Sequence, residues 1–307
     1  SWEAGGVVWV YMGPADRMPP KPAFEYLSAD DDRRGVTKVV QDCNWLQSLE
    51  GGIDTSHAPI LHRRISAASS AFGHHPNNPQ VAGGKPTLEL DLTDYGYRYF
   101  GIRDLPEGGQ YVRGYHYVMP FTQIRPQQIG RPNGPVTFIG GHHWVPMDDE
   151  NVMVWNWVYS YGDFEPSIDD RNQVGAGNSV DDVDPKNGFK SKVSRDNDWM
   201  IDRKVQRTET FTGIPGVNAQ DRATQESMGR IVDRTREHLG PADTAIIAMR
   251  RLLQEALRTM EEGGKPRGTG DTYHNVRAME KVLPEGNWRP ALLPEMDPRE
   301  AQPAGVR

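Results

Sequence analysis

The stretch Thr87–Leu92 has the sequence TLELDL, in which Leu88, Leu90 and Leu92 alternate with polar or acidic residues. Successive side chains of a β-strand point to opposite faces, so this alternation is typical of a strand with one buried face. The stretch therefore predicts a sheet that presents an apolar face to a core.

Five further strands are predicted after it, over residues 95–103, 111–119, 122–128, 136–146 and 152–161. Turn-forming sequences separate them, among them PEGG at 106–109 and MDDEN at 147–151. Because the connections are short, consecutive strands should pair as an antiparallel meander. The last strand is apolar on both faces, so we expect one face to meet helices and the other to line a pocket or a subunit contact.

A short strand over 36–40 completes the predicted sheet. Helices are predicted over 44–57, 221–239 and 242–262. Gly240-Pro241 marks the end of the second helix, and an apolar stripe at helical spacing runs along the third. Residues 162–207 are rich in Asp, Asn, Gly and Ser and predict a long loop or lid. The fold class that follows is α+β, a twisted antiparallel sheet with long helices on one side.

Four of the histidines occur as adjacent pairs. His142 and His143 share one predicted strand, so their side chains should point to opposite faces and cannot bind one metal ion as a pair. His74 and His75 lie in a segment over 63–86 that is rich in Ser, Asn, Gly and Pro and predicts a loop. We expect these two side chains to be solvated.

The segment QDCNWLQSLEGGIDTSHAPILH, residues 41–62, contains Asp54, His57 and His62. Imidazole is a good ligand for iron, zinc and copper, and a nearby carboxylate fixes its tautomer. Histidines five residues apart are rotated by about 140° on a straight helix, but Pro59 should bend or end the helix and let both rings reach one ion. Nine histidines in the chain also make a coincidental pair plausible, so spacing alone leaves both interpretations open.

Further residues around this pair carry a resemblance to a known family. Asn44-Trp45, Glu50-Gly51 and Asp54-Thr55-Ser56-His57, followed by FTGIPG at 211–216, NAQD at 218–221 and DRTREHLG at 233–240, resemble the iron-binding segments of Rieske non-haem iron oxygenases. The pattern is most similar to the phthalate dioxygenase branch of aromatic ring-hydroxylating alpha subunits. It extends over residues 2–288 and implies a helix-grip, START-like catalytic domain.

The resemblance implies that His57, His62 and Asp221 bind a mononuclear Fe(II). Without it, Asp221 would be explained as an acidic residue at a helix N-terminus, where the macrodipole favours it. In the family an aspartate before the first ligand histidine bridges to a Rieske cluster in the neighbouring subunit of a homotrimer, and Asp54 matches that position. Glu50 and Asn44 match further positions near the iron and are expected to be catalytic.

The same resemblance implies a dioxygenase or monooxygenase that hydroxylates or O-demethylates an aromatic carboxylic acid. O2 and electrons from NAD(P)H, delivered by a reductase, would be required. Arg113 matches an arginine that holds the substrate carboxylate, for which a planar guanidinium is well suited. The second such arginine has no counterpart within 72–85. A single-carboxylate or methoxylated aromatic acid is therefore expected at least as much as phthalate.

The composition restricts the classes of binding partner and the cellular compartment that we expect for this protein. A net charge of −7 without a basic run argues against a nucleic-acid partner, and no apolar run approaches the roughly 20 residues of a membrane span. The sequence does not start with a signal peptide. Cys43 is the single cysteine, which fits a reducing cytoplasm.

That single cysteine also bears on the Rieske cluster, a [2Fe–2S] group held by two Cys and two His. Its ligands are not in this sequence, so we expect the cluster only in a longer protein. Residues 1–14 are expected to be the closing strand of a Rieske domain, with a buried strand over 7–12. A linker over 15–35, an iron domain over 36–288 and a C-terminal tail over 289–307 should follow.

Two other classes of function remain open at this point. A zinc hydrolase would also use three protein ligands and one open position, although no general base at a motif-like spacing accompanies the histidines. A non-enzymatic ligand carrier would use the same cavity between sheet and helices.

Overall fold

The computed structural model describes residues 1–71, 73–129 and 134–297. Its strands are β1 Trp2–Ala4, β2 Val7–Trp9, β3 Arg34–Gln41, β4 Thr87–Leu92, β5 Gly96–Asp104, β6 Gln110–Val118, β7 Thr122–Pro126, β8 Phe138–Pro146, β9 Val152–Ser160, β10 Val183–Asp184, β11 Lys190–Ser191 and β12 Met279–Leu283. Its helices are α1 Trp45–Ile53, α2 Ala58–Leu61, α3 Pro79–Ala82, α4 Ile168–Arg171, α5 Arg203–Thr208, α6 Val217–Ser227, α7 Thr244–Glu261 and α8 Arg289–Met296.

The predicted meander is confirmed. Within the described ranges the main sheet has the order β10-β11-β3-β9-β8-β7-β6-β5-β4, and β12 pairs with β6. Strands β4 to β9 pair with their chain neighbours in antiparallel register, and β3 adds to β9 in the same sense. Among the described strands of this sheet, the pairing of β11 with β3 is parallel.

Helices α1 and α7 cover one face of this sheet. Leu49 and Ile53 of α1 and Met249 of α7 are buried against sheet residues such as Tyr97 and Val154. Fully burying one such aliphatic side chain contributes roughly 1.5–3 kcal/mol. The apolar stripes of α1 and α7 therefore pack against one sheet face, and the α+β class with long helices on one side is confirmed; the shorter helix α8 packs on the opposite face.

The opposite face of the sheet is also closed. Phe24 and Tyr26 are buried there against Trp157 of β9, and the Tyr26 and Trp157 rings stack with centroids 4.4 Å apart. This explains why β9 is apolar on both faces. The expectation that its second face lines a pocket or a subunit contact is wrong, because the segment predicted to be a linker supplies the covering residues.

The segment after residue 288 is likewise part of the fold. Helix α8 places Leu292 and Met296 fully inside a core with Phe100 and Val112. The prediction of a C-terminal tail from residue 289 therefore does not hold over 289–297. The rest of the predicted tail lies outside the described residues.

Helix bounds differ from prediction around the two segments that contain His57, His62 and Asp221. Helix α1 ends at Ile53, before the predicted end at 57, because Asp54 has an extended backbone. Pro59 lies in the first turn of α2, where its missing N–H costs nothing, so it starts a helix rather than breaking one. Helix α6 ends at Ser227, twelve residues before the predicted end, where Gly229 with a φ of +98° follows.

Two loop predictions and one strand prediction need smaller changes. The segment 63–86 contains α3, and 162–207 contains α4, α5 and the short strands β10 and β11. At the N-terminus, β1 and β2 form a hairpin through Gly5 and Gly6, both with positive φ. Strand β2 ends at Trp9 and Val8 and Val10 are exposed, so the predicted buried strand over 7–12 is wrong.

No helix in the three described ranges combines the length and apolarity needed to cross a membrane.

Replacement of Leu292 by alanine tests whether α8 belongs to the core. Removing a fully buried leucine leaves a cavity, so Leu292→Ala should lower the free energy of unfolding by about 2–5 kcal/mol. Leu257→Ala on α7 is the matched control, because Leu257 is 62% exposed and its loss should change stability by less than about 0.5 kcal/mol. Denaturant midpoints measure both; equal effects would contradict the role of α8.

Candidate metal centre and substrate cavity

Two histidines and one aspartate converge at a point between α2 and α6. His57 Nε2 and His62 Nε2 are 3.2 Å apart. Asp221 Oδ1 lies 3.4 Å from His57 Nε2 and 3.1 Å from His62 Nε2. Among the described residues, these three side chains place one possible ligand atom each within 4.8 Å of the others, which is close enough to hold one metal ion.

The three separations fit a single metal ion. Ligand atoms about 2.1 Å from one ion lie about 3.0–3.4 Å apart when their angles at the ion are between about 90° and 110°. Two imidazoles and one carboxylate, with further positions open, are also the ligand set typical of non-haem Fe(II) oxygenases. The residues present therefore fit a mononuclear iron, as the sequence predicted for His57, His62 and Asp221.

Local structure explains how histidines five residues apart converge. Helix α1 ends at Ile53, the chain turns through residues 54–57, and α2 begins at Ala58. His57 precedes α2 and His62 follows it, so a single short helix sets their separation. The convergence predicted from a break near Pro59 is confirmed, although the break precedes the proline.

Asp221 reaches the histidines because α6 packs closely on α1. A Cβ added at Gly51 would lie 1.9 Å from Gln225 Nε2, and one at Gly52 would lie 2.3 Å from the Trp144 ring. These two glycines therefore let α1 fit between α6 and the sheet. Asp221 lies in the second turn of α6, so the explanation of an acidic residue at a helix N-terminus does not apply.

Each histidine has a hydrogen-bond acceptor behind it. His57 Nδ1 is 3.1 Å from Asp54 Oδ2, and His62 Nδ1 is 2.8 Å from Gln220 Oε1. A proton on each Nδ1 leaves each Nε2 lone pair directed at the metal position. Asp54 is itself fixed, because the Ser56 N–H donates to Oδ1 over 2.7 Å. Gln220 was not predicted, although it immediately precedes Asp221.

The charges of the cluster support one another. Burial opposes protonation of His57, but the adjacent Asp221 and Asp54 carboxylates outweigh it and raise the pKa of His57 to about 10. Burial alone would raise the pKa of Asp221, and His62 and His57 instead hold it far below its usual range. A metal cation would take over the role of the imidazole protons, because it offers the same positive charge to the carboxylate.

The cluster opens into a cavity of about 580 Å³. The helix-facing side of the sheet forms one wall, and α1, α2, α6 and part of the 162–207 segment form the others. A volume between about 300 and 1,000 Å³ is typical of small-molecule sites. Gln173 and Asn178, from the segment predicted to be a long loop or lid, are among the residues that line the cavity.

Arg113 lines this cavity, yet it is bound to protein groups. Its guanidinium donates to Gln80 Oε1 and, over 2.8 Å, to the carbonyl oxygen of Pro126. Glu280 Oε2 lies 3.7 Å from Arg113 Nε, and Tyr111 donates to the same carboxylate. The buried charge of Arg113 is therefore already neutralised.

A polar row crosses the sheet on the cavity side. Arg125, Gln123, His142 and Asn156 all line the cavity, and the strand register places Gln123 opposite His142 and His142 opposite Asn156. His143 points to the other face, where Thr122 Oγ1 is 2.8 Å from its Nδ1. The prediction that the two histidines face opposite ways is confirmed, but alternation alone did not reveal that His142 faces the site.

His74 is another cavity residue that was not predicted. Its ring centroid is 5.7 Å from that of His62, and burial together with the charge of His62 lowers its pKa to about 3. It is therefore neutral at pH 7. The expectation that His74 is solvated is wrong, because the loop from 63 folds back and pairs Arg63 with His74.

Asn44 and Glu50 have structural contacts away from the cavity. Asn44 caps α1, where its Oδ1 accepts the Leu46 N–H over 3.0 Å. Glu50 binds Arg234 at 3.0 Å and Arg250 at 2.7 Å. Neither residue lines the cavity, so the prediction of direct catalytic roles for them is not supported by their positions.

Replacement of Gln220 by alanine tests the acceptor behind His62. Loss of a partner that orients a ligand histidine typically weakens metal binding by roughly 10–100-fold, so Gln220→Ala should raise the Kd for Fe(II) or Zn²⁺ by that factor. Gln254→Ala, on the exposed side of α7, should leave it unchanged. Competition with a chelator measures both, and an unchanged Kd in a folded Gln220→Ala protein would contradict the role.

Comparisons with known proteins identify the family of the chain. A family model described as LigXa C-terminal domain like matches residues 10–297. The chain is 34% identical over 306 residues to the 3-chlorobenzoate-3,4-dioxygenase oxygenase subunit of Comamonas testosteroni, covering 94% of this chain and 69% of that protein. It is 29% identical over 280 residues to the phthalate 4,5-dioxygenase oxygenase subunit of Pseudomonas putida, covering 88% of this chain and 61% of that protein.

Among solved structures, NdmA of Pseudomonas putida CBB5 with caffeine matches with a TM-score of 0.45 and 16% identity, over 87% of this chain and 62% of that one. The family match covers most of the sequence and the named relatives are oxygenase subunits, that is, oxidoreductases. The chain belongs to the Rieske oxygenase family, as a catalytic domain of the LigXa C-terminal domain-like type.

Proposed function

We propose that this chain is the catalytic domain of an oxygenase that uses mononuclear Fe(II) to hydroxylate or O-demethylate an aromatic carboxylic acid. The observation that carries the proposal is the triangle of His57 Nε2, His62 Nε2 and Asp221 Oδ1, with edges of 3.1–3.4 Å, at the wall of a 580 Å³ cavity. Bound there, Fe(II) supplies the open positions at which O2 is activated.

The protein residues hold and orient the reacting groups. Asp54 and Gln220 keep a proton on each histidine Nδ1, which leaves both Nε2 atoms available to the metal. Asp221 contributes the negative charge that a divalent cation requires. Trp144, Val154 and Tyr115 give the cavity apolar walls, which suit an aromatic ring.

Electrons are proposed to come from NAD(P)H through a reductase and a Rieske [2Fe–2S] cluster that this sequence does not carry. The chain spans 61–69% of the length of the two relatives named above, so these steps belong to a larger assembly. A homotrimer in which the cluster of one subunit serves the iron of the next is proposed, with Asp54 at the contact. Its carboxylate binds His57 and remains partly accessible, with 22% of the side chain exposed.

Family membership favours this proposal over the two alternatives from sequence. A zinc hydrolase and a ligand carrier would use the same cavity, but the relatives are oxygenase subunits. Metal reconstitution separates the classes: tight Zn²⁺ binding with hydrolysis and no iron-dependent oxygenation would contradict the proposal.

Loss of a ligand histidine should abolish iron binding. In His57→Ala or His62→Ala one of three ligand atoms is missing, so near-stoichiometric iron after anaerobic reconstitution should fall to background while the fold survives. His238→Ala, at an exposed position, is the control and should bind iron normally. Retention of full iron by either ligand variant would contradict the assignment.

Asp54→Asn separates electron transfer from metal binding. The amide oxygen of asparagine can still accept a hydrogen bond from His57 Nδ1 but lacks the negative charge, so most of the iron should remain bound. In the complete oxygenase the cluster should be reduced normally by the reductase and then be reoxidised much more slowly when substrate and O2 are present. Single-turnover kinetics measure this, with Asp196→Asn as an exposed control. Normal reoxidation of the cluster would contradict a role of Asp54 in electron transfer and leave it only as the hydrogen-bond partner of His57.

A further inference from the structure

We propose that the cavity selects an aromatic acid that also carries a hydrogen-bond donor, such as a hydroxyl or amino group. Arg125 binds the carboxylate, and His142 Nε2 accepts the hydrogen bond. This inference rests on the proposed function, because it names the substrate class of the same cavity. It replaces Arg113 by Arg125 as the carboxylate-binding residue.

Arg125 is a cavity cation without a protein counterion. Its side chain forms no hydrogen bond or ion pair with any residue in the described ranges, and its Nε is buried and unsatisfied. Burial, followed by repulsion from Arg113, lowers the pKa of Arg125 to about 10, so the group remains charged at pH 7. A buried charge without a partner is costly, and a ligand anion removes that cost.

The other two arginines at the cavity have protein partners at their terminal nitrogens, although the Nε atom of each, like that of Arg125, is buried without a hydrogen-bond acceptor. Arg113 has Glu280, Gln80 and the Pro126 carbonyl as partners. Arg222 donates to Asn178 Oδ1 over 2.8 Å and to the Gly177 carbonyl over 2.7 Å. A carboxylate that enters the cavity would have to displace these contacts to bind either one, whereas Arg125 offers its guanidinium without displacement.

His142 presents a lone pair to the cavity. Its Nδ1 is 2.7 Å from Asn156 Oδ1, and the Asn156 amide nitrogen faces the Thr37 hydroxyl and the Val154 carbonyl at 3.4 and 3.5 Å. This orientation of the amide makes Oδ1 the acceptor, so Nδ1 of His142 carries the proton. Burial and the charge of Arg125 lower the pKa of His142 well below its usual value, so Nε2 accepts and does not donate.

The two groups are close enough to hold one ring. In the β7–β8 register His142 pairs with Gln123, and Arg125 lies two residues farther along β7 on the same face. Diagonal neighbours of this kind are about 7–8 Å apart. An aromatic ring that bears a carboxylate and a donor therefore satisfies both, while a ring that bears only a carboxylate and a methoxyl leaves the His142 acceptor unpaired.

Calorimetric Kd values of the Fe(II)-loaded chain under anaerobic conditions test the proposal. The probes are 3- and 4-hydroxybenzoate, the matching methoxybenzoates and the matching hydroxybenzamides. Hydroxybenzoates should bind about 10–100-fold more tightly than either analogue, because each analogue leaves one buried polar group without its partner.

Two cavity variants assign each preference to a residue. Arg125→Gln should remove the preference for the carboxylate over the amide and leave hydroxybenzamide affinity unchanged. His142→Leu should remove the preference for hydroxyl over methoxyl and leave methoxybenzoate affinity unchanged or improved. Thermal unfolding checks that both remain folded, which is expected for Arg125→Gln because that side chain has no described protein partner.

Arg98→Gln is the matched control for the loss of one arginine charge, because Arg98 pairs with Asp91 and does not line the cavity. It should alter neither preference. A carboxylate preference that survives Arg125→Gln, or that is absent in the unmodified chain, would overturn the assignment of Arg125. A methoxybenzoate that binds as tightly as its hydroxyl analogue would overturn that of His142.

Failure of the proposed function has a different signature. If Arg125 and His142 control binding as described but the triad takes up zinc and not iron, the substrate site stands and the oxygenase assignment falls. If iron binds at His57, His62 and Asp221 and supports oxygenation while neither variant changes any Kd, the oxygenase assignment stands and the proposed substrate site falls.

Discussion

The close approach of α1 to α6 is the constraint on which the candidate metal centre depends. Asp221 meets the two histidines only because Gly51 and Gly52 keep the surface of α1 flat against Gln225 and Trp144. The contact is reinforced by buried amides: Gln47 donates to the Gln225 and Gly229 carbonyls over 3.1 and 2.8 Å. Because these groups are buried and paired, displacing either helix would leave polar atoms unsatisfied, which holds the helices in place.

Helices and sheet have separate tasks around the cavity. The residues flanking α2 and Asp221 of α6 supply the candidate metal ligands, and the sheet supplies the polar row that lines the same cavity. A sheet face is well suited to this, since alternate residues of neighbouring strands present side chains at fixed spacings. The second face of the sheet is closed by Phe24, Tyr26 and α8, so the cavity forms only on the helix side.

Charge distribution distinguishes two arginines that lie in the same cavity. Arg113 and Glu280 neutralise each other, and Tyr111 and the Ile129 N–H bind the same carboxylate. Arg125 has no such set of partners among the described residues. In a region of low dielectric this difference decides which cation is available to an anionic ligand, even though both residues have the same chemistry in sequence.

The sequence by itself determined the order of the elements and predicted the three residues that meet at the candidate metal centre. Leu88, Leu90 and Leu92 fixed the start of the meander through period-two alternation, and each predicted strand from 87 to 161 ends within two residues of the observed bound. His57, His62 and Asp221 followed from a family resemblance over short motifs. Only the tertiary structure decided that Pro59 begins α2, that α8 completes the core, that Glu50 and Asn44 have structural contacts, and that His142 and Arg125 face the cavity. The physical reason is that periodicity and motifs report local backbone preference, whereas exposure, pairing and charge neutralisation depend on which distant residues come into contact.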